Sequence, residues 1–133
     1  MTLEPGLAAA FRYTVTGADT AVALGSGQVP VLATPRVLAL VERATVAAVA
    51  GALEAGTTTV GTRVELDHLA PSPVGAEVEV EAVLERVAGR RLEFGVRVVG
   101  GDGPVARGRI VRVVVEVAGF LGRAAADAGR PGE

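Results

Sequence analysis

At 133 residues, with 50% hydrophobic and 21% charged side chains, the sequence has the length of one ordinary domain and is too apolar for a disordered tail. The lack of Cys excludes disulfides, thiolate nucleophiles and Cys-ligated zinc, and a single His, His68, excludes a His-rich metal site. Thirteen basic against fifteen acidic residues give a net charge of -2, and aromatics are only 3%, so both the field and the stacking platform of a nucleic-acid surface are missing.

The first residues carry Glu4 and no basic residue ahead of a short apolar stretch, unlike a secretory signal. The uncharged stretch from Thr20 to Pro35 is broken by Gly and Pro and falls short of the roughly 20 residues that cross a bilayer. The expectation is a cytoplasmic protein with no membrane partner. Residues 8 to 16 alternate loosely around Phe11, Tyr13 and Val15 and read as a first strand, after which Gly25, Gly27 and Pro30 mark a long loop. A helix is predicted from Thr34, as N-cap with Pro35 at the first helical position, to a stop at Gly56. Its run of Ala, Leu and Val leaves only Arg36, Arg43 and Glu54 to look outward, so it reads as a central helix wrapped by protein.

From Thr57 the period becomes two, with Val60, Thr62, Val64 and Leu66 on one face and Gly61, Arg63, Glu65 and Asp67 on the other, up to His68. APSPVG at 70 to 75 is a turn, and strands follow at 76 to 87, near 91 to 99, and at 105 to 117, joined by turns at Gly89 and 100 to 104. Residues 122 to 133 read as a frayed tail. The class is α+β: about five antiparallel strands around one long helix, a single domain over 1–133 with its core at about 8–118. So apolar a chain has surface left to bury against a second copy, which predicts a homodimer.

Three ionisable residues interrupt apolar stripes. Glu42 shares a helical face with Leu38, Thr45, Val46 and Val49, and it either does chemistry or reaches water or an Arg. His68 continues the parity of Val64 and Leu66, as a catalyst or as a satisfied structural residue. Arg112 falls between Ile110 and Val114, where Glu116 of the same parity is one available partner. Thr34 needs no explanation beyond capping, although a hydroxyl at a helix N-terminus also suits a polarised carbonyl. Gly61, inside a strand, marks a bulge or a close approach.

The order of elements and the DHLAPSPVG turn resemble the hotdog-fold thioesterases over about 10 to 118. The spacing of Thr34, Glu42, Gly61, His68 and Arg112, in TPRVLALVE, VGTRVELDH and GRIVR, resembles the fluoroacetyl-CoA thioesterase branch. There a Thr at the helix start, a Glu eight residues on and a His twenty-six further form the catalytic group. The resemblance implies acyl-CoA thioester hydrolysis, with Thr34, Glu42 and His68 catalytic, Gly61 and Arg112 binding substrate, and no metal or cofactor. The branch gates its pocket with Phe residues before the helix, whereas LGSGQVPVLA has no aromatic, so the acyl group is left open.

The roles expected are Glu42 as nucleophile or general base, His68 as general acid and base, and Thr34 as positioning hydroxyl. The Gly61 N–H would donate to the oxyanion, and Arg112 would orient Glu42 or the acyl end. Thr34 and Glu42, eight residues apart on one helix, are separated by roughly 12 Å at about 1.5 Å per residue, which argues for a composite site at a dimer interface. Arg90, Arg91, Arg107 and Arg109 are candidates for CoA phosphates, or else a solvated face. The competing readings are a hotdog that binds acyl-CoA without turnover, a dehydratase or hydratase, and a structural dimerisation module.

Overall fold

The computed structural model describes residues 2–128. Strand β1 (Ala8–Thr14) leads into a 3-10 turn at Gly17–Asp19 and a one-turn helix α1 (Ala21–Leu24), and the long helix α2 spans Thr34–Val49. Strands β2 (Thr57–His68), β3 (Glu77–Ala88), β4 (Arg91–Gly100) and β5 (Gly103–Glu116) follow, and helix α3 (Val117–Ala128) ends the described chain. All pairings are antiparallel, in the order β1-β3-β4-β5-β2, which leaves β1 and β2 as edges.

The strands arise from the alternation the sequence displays. In β3 the Glu residues at 77, 79 and 81 face out, while Val78, Val80, Ala82 and Leu84 are buried. Those residues, with Leu92, Phe94 and Ile110, meet Val37, Leu40, Val41 and Ala44 of α2 in one hydrophobic cluster. Each fully buried Val or Leu there contributes about 1.5–3 kcal/mol relative to exposure. Helix α2 leans over the β1 and β3 half of the sheet, where most of its packing lies. The inner surface of β2 is thereby left partly open, and Val64 is 40% exposed.

Three boundaries depart from expectation. Thr34 is not the N-cap: Ala33 holds that position without a side-chain cap, and Thr34 begins the helix itself. The helix stops at Val49 rather than running to Gly56; a 3-10 turn at Ala50–Ala52 follows, at a Gly51 that costs about 1 kcal/mol in a helix interior. Gly56 instead supplies the positive φ of the turn into β2. At the other end, residues 122 to 128 continue α3 instead of fraying, and 129 to 133 lie outside the described residues. The outward face of α2 is also less charged than expected. Ala39, Val46 and Ala47 are exposed alongside Arg43, whose guanidinium lies 4.2 Å from the Phe11 ring centre.

Candidate active site

Regular alternation would turn Gly61 away from His68. The pairing of β2 with β5 slips between Gly61 and Arg63, leaving Thr62 as an extra residue whose hydroxyl donates to the Val111 carbonyl at 3.3 Å. This bulge reverses the parity, so Thr59 and Gly61 share the inner face with Leu66 and His68, correcting the single alternation read from the sequence.

Gly61 pairs across the ladder with Arg112, and both lie under Glu42. Arg112 is 7% exposed: its Nε donates to Thr59 Oγ1 at 2.8 Å, one terminal nitrogen to the Thr59 carbonyl at 2.9 Å, and the other to Glu42 Oε2 at 3.0 Å. Glu116 stays exposed and is not its partner. The Glu42 side chain keeps 36% of its surface, so one oxygen is held by a fixed cation while the carboxylate stays reachable. A Cβ on Gly61 would lie 2.7 Å from Glu42 Oε2. The role visible for Gly61 is the space it leaves for that carboxylate.

The second cluster lies at the start of α2. Thr34 Oγ1 is 2.8 Å from His68 Nδ1, and His68 Nε2 is buried without a hydrogen-bond partner. Burial pushes the imidazole pKa below 6.5, opposed in part by the Ala70 backbone, so the ring is neutral at neutral pH. If the Thr34 hydroxyl donates to Nδ1, Nε2 carries the proton; if Nδ1 donates, Nε2 is a base. Nε2 is shielded from solvent, and the Ala70 backbone lies close to the ring. Beside it opens a cleft of about 300 Å³ lined by Val29, Val31, Leu69 and Pro71 with Thr34 and His68. The segment before α2 closes this cleft because the Leu32 N–H donates to the Ser72 carbonyl at 2.8 Å, and Val31 bridges to Pro73.

The five expected residues thus form two groups in one chain, Thr34 with His68 and Glu42 with Arg112 and Gly61. Sequence reasoning missed Thr59, which anchors Arg112: Gly61 marked a possible bulge, and one is present beside it, but nothing local showed that it would turn Thr59 inward. It also missed Asp19, buried at 2% exposure, although T-x-x-D at 16 to 19 is the spacing of a capping box. Arg91, Arg107 and Arg109 lie on the outer face of the sheet, with Arg109 3.4 Å from Glu85, away from both groups. Among the described residues, no group of three or more His, Asp or Glu side chains could hold a metal ion. None of the described helices is long and apolar enough to cross a membrane.

A five-stranded antiparallel sheet curled around one helix, with ionisable residues on its concave face, is the architecture of the hotdog-fold thioesterases. The model of the family "Fluoroacetyl-CoA-specific thioesterase" matches residues 15–118, and the chain belongs to that family. A fluoroacetyl-CoA thioesterase of Streptantibioticus cattleyicolor is 37% identical over 90 residues, 68% of this chain and 65% of that protein, so the match spans just under two thirds of the relative. The structure is similar to that of the fluoroacetyl-CoA thioesterase FlK, with a TM-score of 0.88 and 28% identity over 98% of this chain and 100% of FlK. A hot-dog-like protein from Thermanaerovibrio acidaminovorans gives the same score at 28% identity, covering 95% and 93% of the two chains.

Proposed function

We propose that the protein hydrolyses a small acyl-CoA thioester to the free acid and CoA, with Thr34, Glu42 and His68 as the catalytic group. One observation carries the reading: the imidazole of His68 lies 2.8 Å from the Thr34 hydroxyl at the start of α2, and both residues line an apolar cleft. FlK variants have been crystallised with fluoroacetate and CoA and with acetyl-CoA, a small acyl group on the same carrier. The protein acts in the cytoplasm in this reading.

Glu42 acts as general base or as nucleophile. As base it takes a proton from water, whose oxygen attacks the thioester carbonyl carbon; as nucleophile its carboxylate attacks first, and water then cleaves the mixed anhydride. In both cases the carbonyl oxygen gains charge and the C–S bond breaks with the sulfur leaving as thiolate; His68, neutral at rest, takes up the proton that the attacking water releases and passes it to that sulfur, returning to the neutral ring. Thr34 holds the ring through Nδ1 and so directs Nε2 at the reacting group. Arg112 holds Glu42 in place through its hydrogen bond to Oε2, and the Gly61 N–H serves as oxyanion donor.

The site is complete only in a homodimer, which joins the Thr34–His68 pair of one protomer to the Glu42–Arg112 pair of the other. Edge strand β2, the half-open inner surface around Val64 and the exposed Ala39, Val46 and Ala47 of α2 supply an apolar surface for that contact. Residues 8 to 118 act as one catalytic unit. The apolar cleft carries no aromatic side chain and no feature that selects fluorine, so the substrate class is short, apolar acyl groups.

The test is release of free CoA from acetyl-, propionyl-, isobutyryl- and fluoroacetyl-CoA. Unfluorinated esters are expected to be cleaved at least as fast as fluoroacetyl-CoA. Saturable binding of every ester without CoA release would make this a binding protein.

A further inference from the structure

We propose that Asp19 and Arg36 are positioning residues that set the Thr34 hydroxyl against His68, an inference that rests on the catalytic reading of that pair. The start of α2 has no side-chain cap, and the Thr34 hydroxyl is turned toward the imidazole instead. The 3-10 turn ahead of α1 fixes the helix start. The Asp19 carbonyl accepts the Ala33 N–H at 2.9 Å, one residue before Thr34, and the Asp19 carboxylate lies 3.0 Å from Arg36 Nε, two residues after it. The Arg36 N–H does not point along that contact, so it is an ion pair rather than a hydrogen bond.

The carboxylate is itself immobilised. Its Oδ2 accepts from the Thr16 N–H at 2.7 Å, the Thr16 hydroxyl at 2.9 Å and the Tyr13 hydroxyl at 2.9 Å, and the Tyr13 hydroxyl also lies 2.8 Å from Oδ1. Burial alone would raise the Asp19 pKa, but these donors and Arg36 outweigh it and hold the group below 3.8. A fixed negative charge at a helix N-terminus also complements the helix dipole. The network ties β1, through Tyr13, to the backbone just before Thr34 and to the Arg36 side chain just after it. Arg36, half-buried, follows Thr34 by two residues, roughly 200° round the helix at about 3.6 residues per turn, and does not line the cleft, so its effect on the reaction passes through the position of α2.

The chain has one His, so its imidazole proton resonance is assigned without ambiguity, and its titration reads the environment of the pair with or without turnover. Arg36→Met, Arg36→Lys and Asp19→Asn are compared with Leu84→Ala, a core change on β3. Arg36→Met is expected to lower kcat about tenfold with KM within about twofold, as misplacement of a catalytic group does. It should also move the His68 pKa up toward 6.5. Arg36→Lys should recover most of both, Asp19→Asn should shift the His68 titration in the same direction, and Leu84→Ala should lower Tm without moving it. An unchanged His68 titration in Arg36→Met, or an equal shift in Leu84→Ala, would overturn the proposal. Failure of the thioesterase reading would look different: no CoA release from the wild type, with the His68 shifts still present.

Discussion

At the scale of single residues, the site depends on an absence as much as on a presence. Glu42 Oε2 occupies the space a side chain at position 61 would need, and Arg112 is already committed to Thr59 on its other side. Gly61→Ala is therefore expected to push the carboxylate off Arg112 and cut kcat by about ten- to a hundredfold. Circular dichroism should show the fold intact, because Gly61 has no positive φ to lose. His68 makes a second prediction. Its folded-state pKa lies below 6.5, so as pH falls the unfolded chain binds the proton first. Its contribution to stability is complete above about pH 6.5 and is lost as pH drops toward the folded value. Thermal melts between pH 8 and 4.5 should show a fall in Tm beginning near 6.5 that is absent in His68→Gln. Asp19, also lowered, contributes above 3.8 and loses its contribution only below that.

At the scale of elements, what the sequence revealed and what it hid have one physical source. Alternation in β3 and the apolar run of α2 are local and survive folding, so the succession of strands along the chain and the buried helix were legible, as were Glu42, His68 and Arg112, which break those patterns; that β2 crosses to pair with β5 rather than with β3 was not. The bulge at Thr62 depends on how β2 registers against β5, a contact between distant segments, so the inward turn of Thr59 and Gly61 was not. Thr34 was misread as a cap because its real partner, His68, lies thirty-four residues away. Deleting Thr62 tests the element directly. It should restore regular alternation and turn either the Thr59–Gly61 end or the Leu66–His68 end outward, abolishing hydrolysis and lowering Tm. Wild-type turnover in that variant would mean that the bulge does not bring the two halves to one face.

At the scale of the whole molecule, the proposed shared site follows from the eight residues, roughly 12 Å of helix, that separate Thr34 from Glu42 on α2. Its start carries the Thr34–His68 pair and its middle carries Glu42, and in the proposed homodimer the exposed Val46 and the open inner surface of β2 form the contact that brings them together. Val46→Glu is expected to yield a folded monomer by light scattering with little hydrolytic activity. The most direct test is CoA release from Glu42→Gln, His68→Ala and an equilibrated mixture of the two. Each variant alone should be inactive. The mixture should recover about a quarter of wild-type activity, since half of randomly exchanged dimers are hybrids and each holds one site with both residues intact. A mixture as inactive as its components, under conditions where subunits demonstrably exchange, would contradict a shared site, and full activity in either variant alone would remove that residue from the chemistry.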